Sequence, residues 1–162
     1  TIHQKSFVMK LFKPLLYYKA FRVGATVGFS NFTLYPITTE LGTFQTAEAA
    51  FQAYKDENNK DYIKKLEITD SPFEAKELGK NCNLKENWFR IKDNYMEQII
   101  RYKFDQHPDF KEALLSSNLR YIRHHNIKDN YWGYGDGSGF NKLGKILMKI
   151  RNEKLMEEEE VI

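Results

Sequence analysis

The sequence has few of the residues that cross-link or interrupt a chain. Among its 162 residues there is a single cysteine, Cys82, which excludes an internal disulfide and a cysteine-based metal site. The 4 prolines mark no domain boundary, and no repeat or low-complexity linker divides the chain. We therefore expect one domain spanning residues 1–162, in a reducing compartment.

Long hydrophobic runs are also absent. No stretch approaches the ~18 apolar residues that a membrane-spanning helix needs. Residues 1–13 carry scattered lysines but no continuous apolar core and no small-residue cleavage site, so a signal peptide is not expected. We expect a cytoplasmic protein with no membrane partner (in the host cytoplasm if the chain is viral or phage-borne). The sequence leaves its oligomeric state open.

Neither sign of charge predominates, and several well-known motifs are missing. The 25 basic and 22 acidic residues give a net charge of +3, which suits a phosphate-bearing ligand but does not require nucleic acid. The sequence lacks a P-loop, a dinucleotide-binding glycine motif, an H-E-x-x-H string and a nucleophile elbow. The adjacent His124 and His125 would face opposite sides of a strand and so form a poor metal pair. These features argue against a metal and against serine hydrolase chemistry.

Apolar and aromatic residues are plentiful, at 41% and 15%, and their spacing is mostly helical. The expected helices begin after caps or at proline. The first runs from Thr46 to about Asp56, and a short second helix follows a loop at 58–61. The next three run from Ser71 to a stop at Gly79, from near Asn83 through Tyr102, and onward from His107. The last runs from Lys142 to about Met156 and is followed by an acidic tail at 157–162, in which the glutamates at 157–160 are expected to be frayed.

Strand signals are few and short. Residues 15–23 are rich in β-formers and precede a turn at 24–28, and shorter extended pieces are expected at 34–38, 42–44 and 119–123. No strand–helix–strand alternation appears, which argues against a doubly wound sheet. The expected fold class is therefore mainly α (α+β), with a small β element.

Two stretches favour chemistry over plain structure. Glu48 and Lys55 are seven residues apart, so on one helix they share a face about 10 Å along its axis. A solvated face is the ordinary interpretation of such a pair, but Phe51 lies between them. Residues 129–141 combine four glycines with tyrosine, tryptophan and aspartate. Such a loop suits close backbone approach to phosphate and stacking on a base or sugar, although it could also be a long surface turn.

Several short strings occur in one order along the chain. They are FSNF at 29–32 followed by YPI at 35–37; Gly42 with T-x-E-x-x-F-Q-A-x-K from Thr46 to Lys55; Asn87 and Trp88 with Lys92 and Met96; KF-x-Q at 103–106; D-x-x-WG-x-G at 129–135; and N-x-LG-x-x-LM-x-x-R at 141–151. Taken alone, FSNF predicts only a turn that is held in place by its two phenylalanine rings. Together, over about residues 15–152, the strings resemble the NADAR family, also called YbiA-like.

The resemblance implies a compact, multihelical YbiA-like fold and hydrolytic N-glycosidase activity, with no metal or cofactor. One branch of that family resembles enzymes that split a ribosylamino-pyrimidine phosphate of the riboflavin pathway. Another removes ADP-ribose from guanine in DNA or RNA. The mild positive charge and the aromatic excess favour an ADP-ribosylated nucleotide or nucleic acid as the substrate, with the small ribosylamine phosphate as the alternative. A module that only binds ADP-ribose or NAD is a further alternative.

The resemblance also assigns roles by position. Glu48 and Asp129 are the expected acid and base, in an order the sequence leaves open. Lys55 is expected either to condense with the opened sugar aldehyde or to pair with an anion. The expected substrate-binding residues are Phe29, Ser30, Asn31, Phe32, Lys80, Trp88, Trp132, Gly133, Gly135 and Asn141.

The chain departs from the family pattern at three positions. Ala49 stands where a histidine usually follows the glutamate, and Lys80 where an arginine is common. His124 stands where a glutamate often precedes the D-x-x-WG string. A lysine keeps the charge of arginine but not its bidentate geometry, so the ligand contacts are expected to differ from those of other members.

Overall fold

The fold was analysed in a computed structural model that describes residues 16–18 and 24–161. Strands β1 to β4 are Leu16–Tyr18, Ile37–Thr39, Gly42–Phe44 and Ile122–His124, and helices α1 to α6 are Ala47–Ala53, Lys60–Ile68, Pro72–Lys80, Trp88–Gln106, Pro108–Ser116 and Lys142–Glu160. Short 3₁₀ turns cover Gly24–Thr26 and Tyr54–Asp56. The mainly helical class with a small β element is confirmed.

Helix α1 lies at the centre of the molecule. Thr46 caps it as predicted, because its hydroxyl accepts the backbone N–H of Ala49. All seven of its residues are buried, and it packs against α2, α3 and α4. Any polar group on α1 is therefore held between other elements rather than on a solvated face.

Helices α2 and α3 begin at side-chain caps. Asn59 and Ser71 accept the N–H groups of Tyr62 and Glu74. Helix α2 thus begins within the predicted loop at 58–61. Helix α3 runs through Gly79 to Lys80, so the predicted stop at Gly79 was wrong, and this buried glycine has another role.

Helix α4 begins at Trp88, so the start predicted near Asn83 was also wrong. The preceding segment is tied to the 3₁₀ turn that follows α1. The N–H groups of Lys85 and Asn83 bond to the carbonyl of Lys55 and the carboxylate of Asp56. Asn87, directly before the helix, has a left-handed φ of 62°, so a right-handed helix cannot run from Asn83 through this residue, and α4 begins after it.

The strands form two small sheets. Strand β1 pairs in parallel with β4, Leu16 opposite Ile122, and β2 pairs with β3 as an antiparallel hairpin. Residues 15 and 19–23 of the predicted first strand, and the N-terminal residues 1–13, lie outside the described residues. Strand β4 begins three residues later than predicted, since the turn after α5 extends through residue 119 and residues 120 and 121 only connect it to the strand.

Helix α6 extends to Glu160, so the prediction of a frayed stretch at 157–160 was wrong. Leu143, Leu147 and Ile150 bury one face, and Lys154 pairs with Glu157 at 3.0 Å across one turn near its end. Residues 129–140 form the predicted loop, which precedes α6. Within the described ranges, no helix is long and apolar enough to cross a bilayer.

Candidate active site

A cavity of about 560 Å³ opens between α1, α3, α4 and the residues that follow β4. Its volume falls within the range of small-molecule sites. It is lined by Ser30, Asn31, Phe32, Glu48, Phe51, Gln52, Lys55, Lys76, Trp88, Phe89, Lys92, Met96, His124, His125, Asn126, Asp129, Trp132 and Leu143. Eight of the thirteen residues predicted from sequence meet there.

Glu48 contributes a buried carboxylate to this cavity, with 8% of the residue exposed. The Gln52 side chain donates a hydrogen bond of 2.8 Å to its Oε1. Burial raises the pKa of Glu48, while the Gln52 hydrogen bond and the nearby Lys76 and Lys55 oppose that rise. A carboxyl group in this setting is suited to exchanging a proton or to stabilising a cation.

Lys55 reaches the same cavity from the 3₁₀ turn that continues α1. Its Nζ lies 6.0 Å from the centre of the Trp88 ring. Burial lowers the pKa of Lys55, which increases the fraction of neutral, nucleophilic amine. The seven-residue spacing thus does bring a carboxylate and an amine to one pocket.

Asp129 lines the cavity from the segment that follows β4. Its Oδ1 accepts the N–H groups of Tyr131 at 3.0 Å and Trp132 at 2.9 Å, which fixes the start of the glycine-rich loop. Asp129 is close enough to raise the pKa of Glu48. The cavity therefore holds two carboxyl groups of different surroundings, one buried and one tied to a loop.

Aromatic rings form the floor and one side. The Phe51 ring lies 5.1 Å from Trp88 and 5.5 Å from Trp132, measured between ring centres. Trp88 in turn stacks on Tyr95 at 5.8 Å. Rings held this way keep planar apolar walls beside the Glu48 carboxyl group.

The segment with Ser30 and Asn31 is anchored from two sides. The Asn31 carbonyl accepts the Glu48 N–H at 3.0 Å, and the buried Lys103 Nζ donates to the Ser30 carbonyl at 3.0 Å. The Asn31 amide donates to Met96 Sδ at 3.3 Å, while its Oδ1 is buried without a hydrogen-bond partner among the described residues. An unpaired acceptor facing a cavity suits a ligand hydroxyl or amine.

Five predicted binding residues lie outside this lining. Phe29 is fully buried edge-on to Phe110, and Lys80 pairs with Glu77 at 2.6 Å on the surface. Asn141 is a structural link, because its side chain accepts the His124 N–H and donates to the Ile122 carbonyl, both at 2.9 Å. The other two are Gly133 and Gly135.

These two glycines shape the loop that carries Trp132. A Cβ on Gly133 would lie 2.7 Å from the Asp129 carbonyl oxygen, and Gly135 adopts a φ of 60°. Both features require glycine or strongly favour it. Their place in the structure is thus a tight backbone turn.

Sequence reasoning did not assign several lining residues to the site. Lys92 follows Trp88 by one helical turn, and this spacing could have identified it. Both His124 and His125 line the cavity, so they do not face opposite sides as predicted, because β4 ends at His124. Burial lowers the pKa of His124. The remaining missed residues are Gln52, Lys76, Phe89, Met96, Asn126 and Leu143.

The chain is similar to known proteins in both sequence and structure. The profile of the NADAR domain family matches residues 17–155. N-glycosidase YbiA of Shigella boydii is 36% identical over 132 residues, which cover 80% of this chain and 82% of that protein. A riboflavin biosynthesis protein of Vibrio vulnificus is 32% identical over 127 residues, covering 76% of this chain but only 34% of that longer protein. The NMR structure of Escherichia coli YbiA superimposes with a TM-score of 0.75, 30% identity, and coverage of 91% and 90% of the two chains.

Proposed function

This chain belongs to the NADAR family, and we propose that it is an N-glycosidase that removes ADP-ribose from guanine in nucleic acid. The observation that carries the proposal is the buried Glu48 carboxyl group, which shares a ring-walled cavity with Lys55 and Asp129. A relative with this profile is named an N-glycosidase. The activity class therefore rests on family membership, and the choice of substrate is our own.

The proposed reaction is hydrolysis of a ribose–nitrogen bond. Water adds its hydroxyl to C1′ and its proton to the departing nitrogen, while positive charge develops transiently on C1′ and the ring oxygen. The Glu48 carboxylate stabilises that charge within the low-dielectric cavity. Asp129 then exchanges the proton with water or with the leaving group.

Lys55 has a distinct part in this proposal. The sugar ring of a ribosylamine opens when the ring oxygen leaves C1′ and takes a proton, which leaves C1′ doubly bonded to the nucleobase nitrogen. A neutral lysine amine then adds to C1′ and the nucleobase nitrogen leaves with a proton, so that C1′ becomes an imine of Lys55, which water hydrolyses to the aldehyde sugar and the free lysine. Burial favours the neutral amine, as the lowered pKa of Lys55 indicates.

The mouth of the cavity favours a substrate larger than a free nucleotide. We define the rim as Phe32, Phe73, Lys76, Phe89 and Lys92. The exposed Phe73 (61%) lies against the Phe32 ring, 5.1 Å away between ring centres, and the exposed Phe89 (74%) itself lines the cavity. An ammonium group lies near each of these rim rings, Lys76 at 5.6 Å from the Phe32 ring and Lys92 at 5.1 Å from the Phe89 ring. Exposed rings beside cations are typical of surfaces that hold single-stranded nucleic acid.

Two other functions have some support. The Vibrio relative named for riboflavin biosynthesis favours a ribosylamino-pyrimidine phosphate as the substrate. A module that binds ADP-ribose without cleaving it would explain the cavity, but it would not need a buried carboxyl group beside a buried amine. We rank the nucleic-acid substrate first because of the rim.

The test is a direct comparison of substrates. Equal concentrations of a single-stranded oligonucleotide carrying ADP-ribosylated guanine and of a ribosylamino-pyrimidine phosphate are incubated with the protein, and products are followed by mass spectrometry. We expect free ADP-ribose from the first at a higher kcat/KM than cleavage of the second. The reverse order would move the assignment to the small substrate. Tight binding of ADP-ribose with no cleavage of either would favour the binding module.

A further inference from the structure

Gly79 occupies an unusual place for a glycine. It lies buried within α3, whose helical hydrogen bonding continues to Lys80, and its φ is not positive. Glycine is unfavourable inside a helix, where alanine is the best residue. Neither a helix stop nor backbone strain explains its presence, so the reason must lie in what packs against it.

The neighbour in question is Gln52 on α1. A Cβ atom built on Gly79 would lie 2.7 Å from Gln52 Cδ and closer still to its Oε1. Gln52 is 4% exposed, and its Oε1 has no hydrogen-bond partner among the described residues. The carboxamide therefore packs directly over Gly79 and donates a hydrogen bond of 2.8 Å from its Nε2 to Glu48.

We propose that Gly79 and Gln52 act as a positioning pair for Glu48. The missing side chain at 79 leaves room for the Gln52 carboxamide, which turns its NH₂ group toward the Glu48 carboxylate and fixes that carboxylate in the cavity. This inference rests on the proposed function for the role of Glu48, but the contact itself does not. Neither residue touches the reacting atoms in this account.

The pair also acts on the ionisation of Glu48. A hydrogen bond donated to a carboxylate favours its charged form. Burial raises the pKa of Glu48, and the groups that face it are Gln52 and Lys55 on its own side, Lys76 from α3 and Asp129 from the loop. Without the Gln52 hydrogen bond, less remains to counter the effect of burial on the pKa of Glu48. That pKa therefore rises further, and fewer molecules carry the carboxylate at neutral pH.

The test is a double-mutant cycle of Gly79→Ala and Gln52→Ala. The atoms that a new Cβ meets belong to the end of a flexible side chain, so Gly79→Ala is expected to fold and to displace Gln52. Each single variant should lower kcat about tenfold or more with little change in KM, and shift the limb of the pH–rate profile that belongs to Glu48 to higher pH. The double variant should lose no more than either single one, because both changes break the same hydrogen bond.

Glu77→Ala is the matched control, since Glu77 lies on the same helix with an exposed side chain. It should leave kcat and the pH profile unchanged. Multiplying effects in the double variant, or a Gly79→Ala enzyme with wild-type kcat and pH profile, would overturn the proposal.

An activity-independent measurement separates this inference from the proposed function. Titration of ¹³C-labelled glutamate side chains by NMR, with Glu48→Gln to assign the signal, reports the pKa of Glu48 directly. Gly79→Ala and Gln52→Ala should each raise it, even if no substrate is cleaved. An unchanged Glu48 titration in Gly79→Ala would refute the pair whatever the activity, while raised values in a protein that cleaves neither substrate would refute only the proposed function.

Discussion

At the scale of single residues, Lys55 has the most distinctive chemistry of the site. Its amine is half-buried beside Trp88, and burial lowers its pKa. Two roles suit this setting: a nucleophile toward the opened sugar, or a fixed positive charge for an anionic group. The two differ in whether the nitrogen must lose its proton, and a substitution can separate them.

We predict that Lys55→Arg is as inactive as Lys55→Ala. Arginine keeps the positive charge but stays protonated and does not form an imine under these conditions. Borohydride added during turnover should attach the sugar to the wild-type protein and to neither variant, as a mass increase on the peptide with Lys55. Substantial activity in Lys55→Arg, with no trapped adduct in the wild type, would show that Lys55 acts through charge alone.

The sequence predicted which nearby residues reach the same cavity, but it did not predict which residues of different helices meet there. The seven-residue spacing of Glu48 and Lys55 predicted a shared pocket, although α1 ends at Ala53 instead of about Asp56 and Lys55 lies on the 3₁₀ turn that continues it. Lys76 and Lys80 are one turn apart on α3, yet only Lys76 reaches the cavity, while Lys80 pairs with Glu77. Which lysine points inward depends on how α3 is rotated against α1, and a local pattern does not contain that angle.

At the scale of elements, α4 supports the cavity through a buried cation. Lys103 is 1% exposed, donates to the Ser30 carbonyl and lies 4.7 Å from the Phe110 ring centre. Burial lowers its pKa to about 7, although Asp109 opposes this. The KF-x-Q string thus belongs to the support of the Ser30–Asn31 segment rather than to the cavity lining.

Lys103 makes a definite prediction for stability against pH. Its folded pKa of about 7 lies below the ordinary value of 10.5, so between these limits the unfolded chain binds more protons. Folding stability therefore rises with pH across that window, by at most roughly 1.4 kcal/mol per unit from this group. In urea unfolding, the wild type should gain stability relative to Lys103→Met between pH 7 and pH 9. A difference in unfolding free energy between the two proteins that stays constant from pH 7 to pH 9 would contradict a lowered pKa of Lys103.

Asn141 joins β4 to the start of α6. It adopts a left-handed φ of 52°, and its side chain bonds to the backbones of Ile122 and His124. Asn141→Ala loses both bonds, one to the buried Ile122 carbonyl and one to the half-buried His124 N–H, so we expect a destabilisation of about 2–4 kcal/mol. Denaturant unfolding at neutral pH checks this value. A loss below about 0.5 kcal/mol would show that water or other groups replace the amide.

Element boundaries were predictable where a cap sets them and not where tertiary contacts do. Thr46, Ser71 and His107–Pro108 marked the starts of α1, α3 and α5 correctly. The start of α4 at Trp88 is set by the left-handed backbone of Asn87, which follows a segment bonded to the distant Lys55 carbonyl and Asp56 carboxylate. The sequence gives no local sign of those bonds.

At the scale of the whole molecule, helices α1, α3 and α4 each contribute side chains to the cavity. Helices α3 and α4 also carry most of the rim residues. Phe73 lies outside the cavity lining, and Phe89 lines the cavity but is 74% exposed, so both rings extend beyond what a substrate confined to the cavity would cover. Flanking nucleotides of a single strand would cover both. The rim thus offers a test of substrate size that is independent of the cleavage chemistry.

We predict that Phe89→Ala lowers kcat/KM for an ADP-ribosylated oligonucleotide by about fivefold or more beyond its effect on ADP-ribosylguanosine, the value of one lost stacking contact. Met156→Ala is the control, because Met156 is 62% exposed and lies outside the cavity lining. Equal losses on both substrates would indicate that Phe89 contacts the ADP-ribosyl group itself and not a neighbouring base.

The central claim is that this protein cleaves a ribose–nitrogen bond with the Glu48 carboxyl group. Its most direct test is the release of free ADP-ribose from guanine-ADP-ribosylated single-stranded DNA, measured by mass spectrometry for the wild type and Glu48→Gln. We expect release by the wild type and none by a Glu48→Gln protein whose circular dichroism is unchanged. Equal release by both proteins would contradict the role of Glu48, and no release by a folded wild type would contradict the proposed substrate.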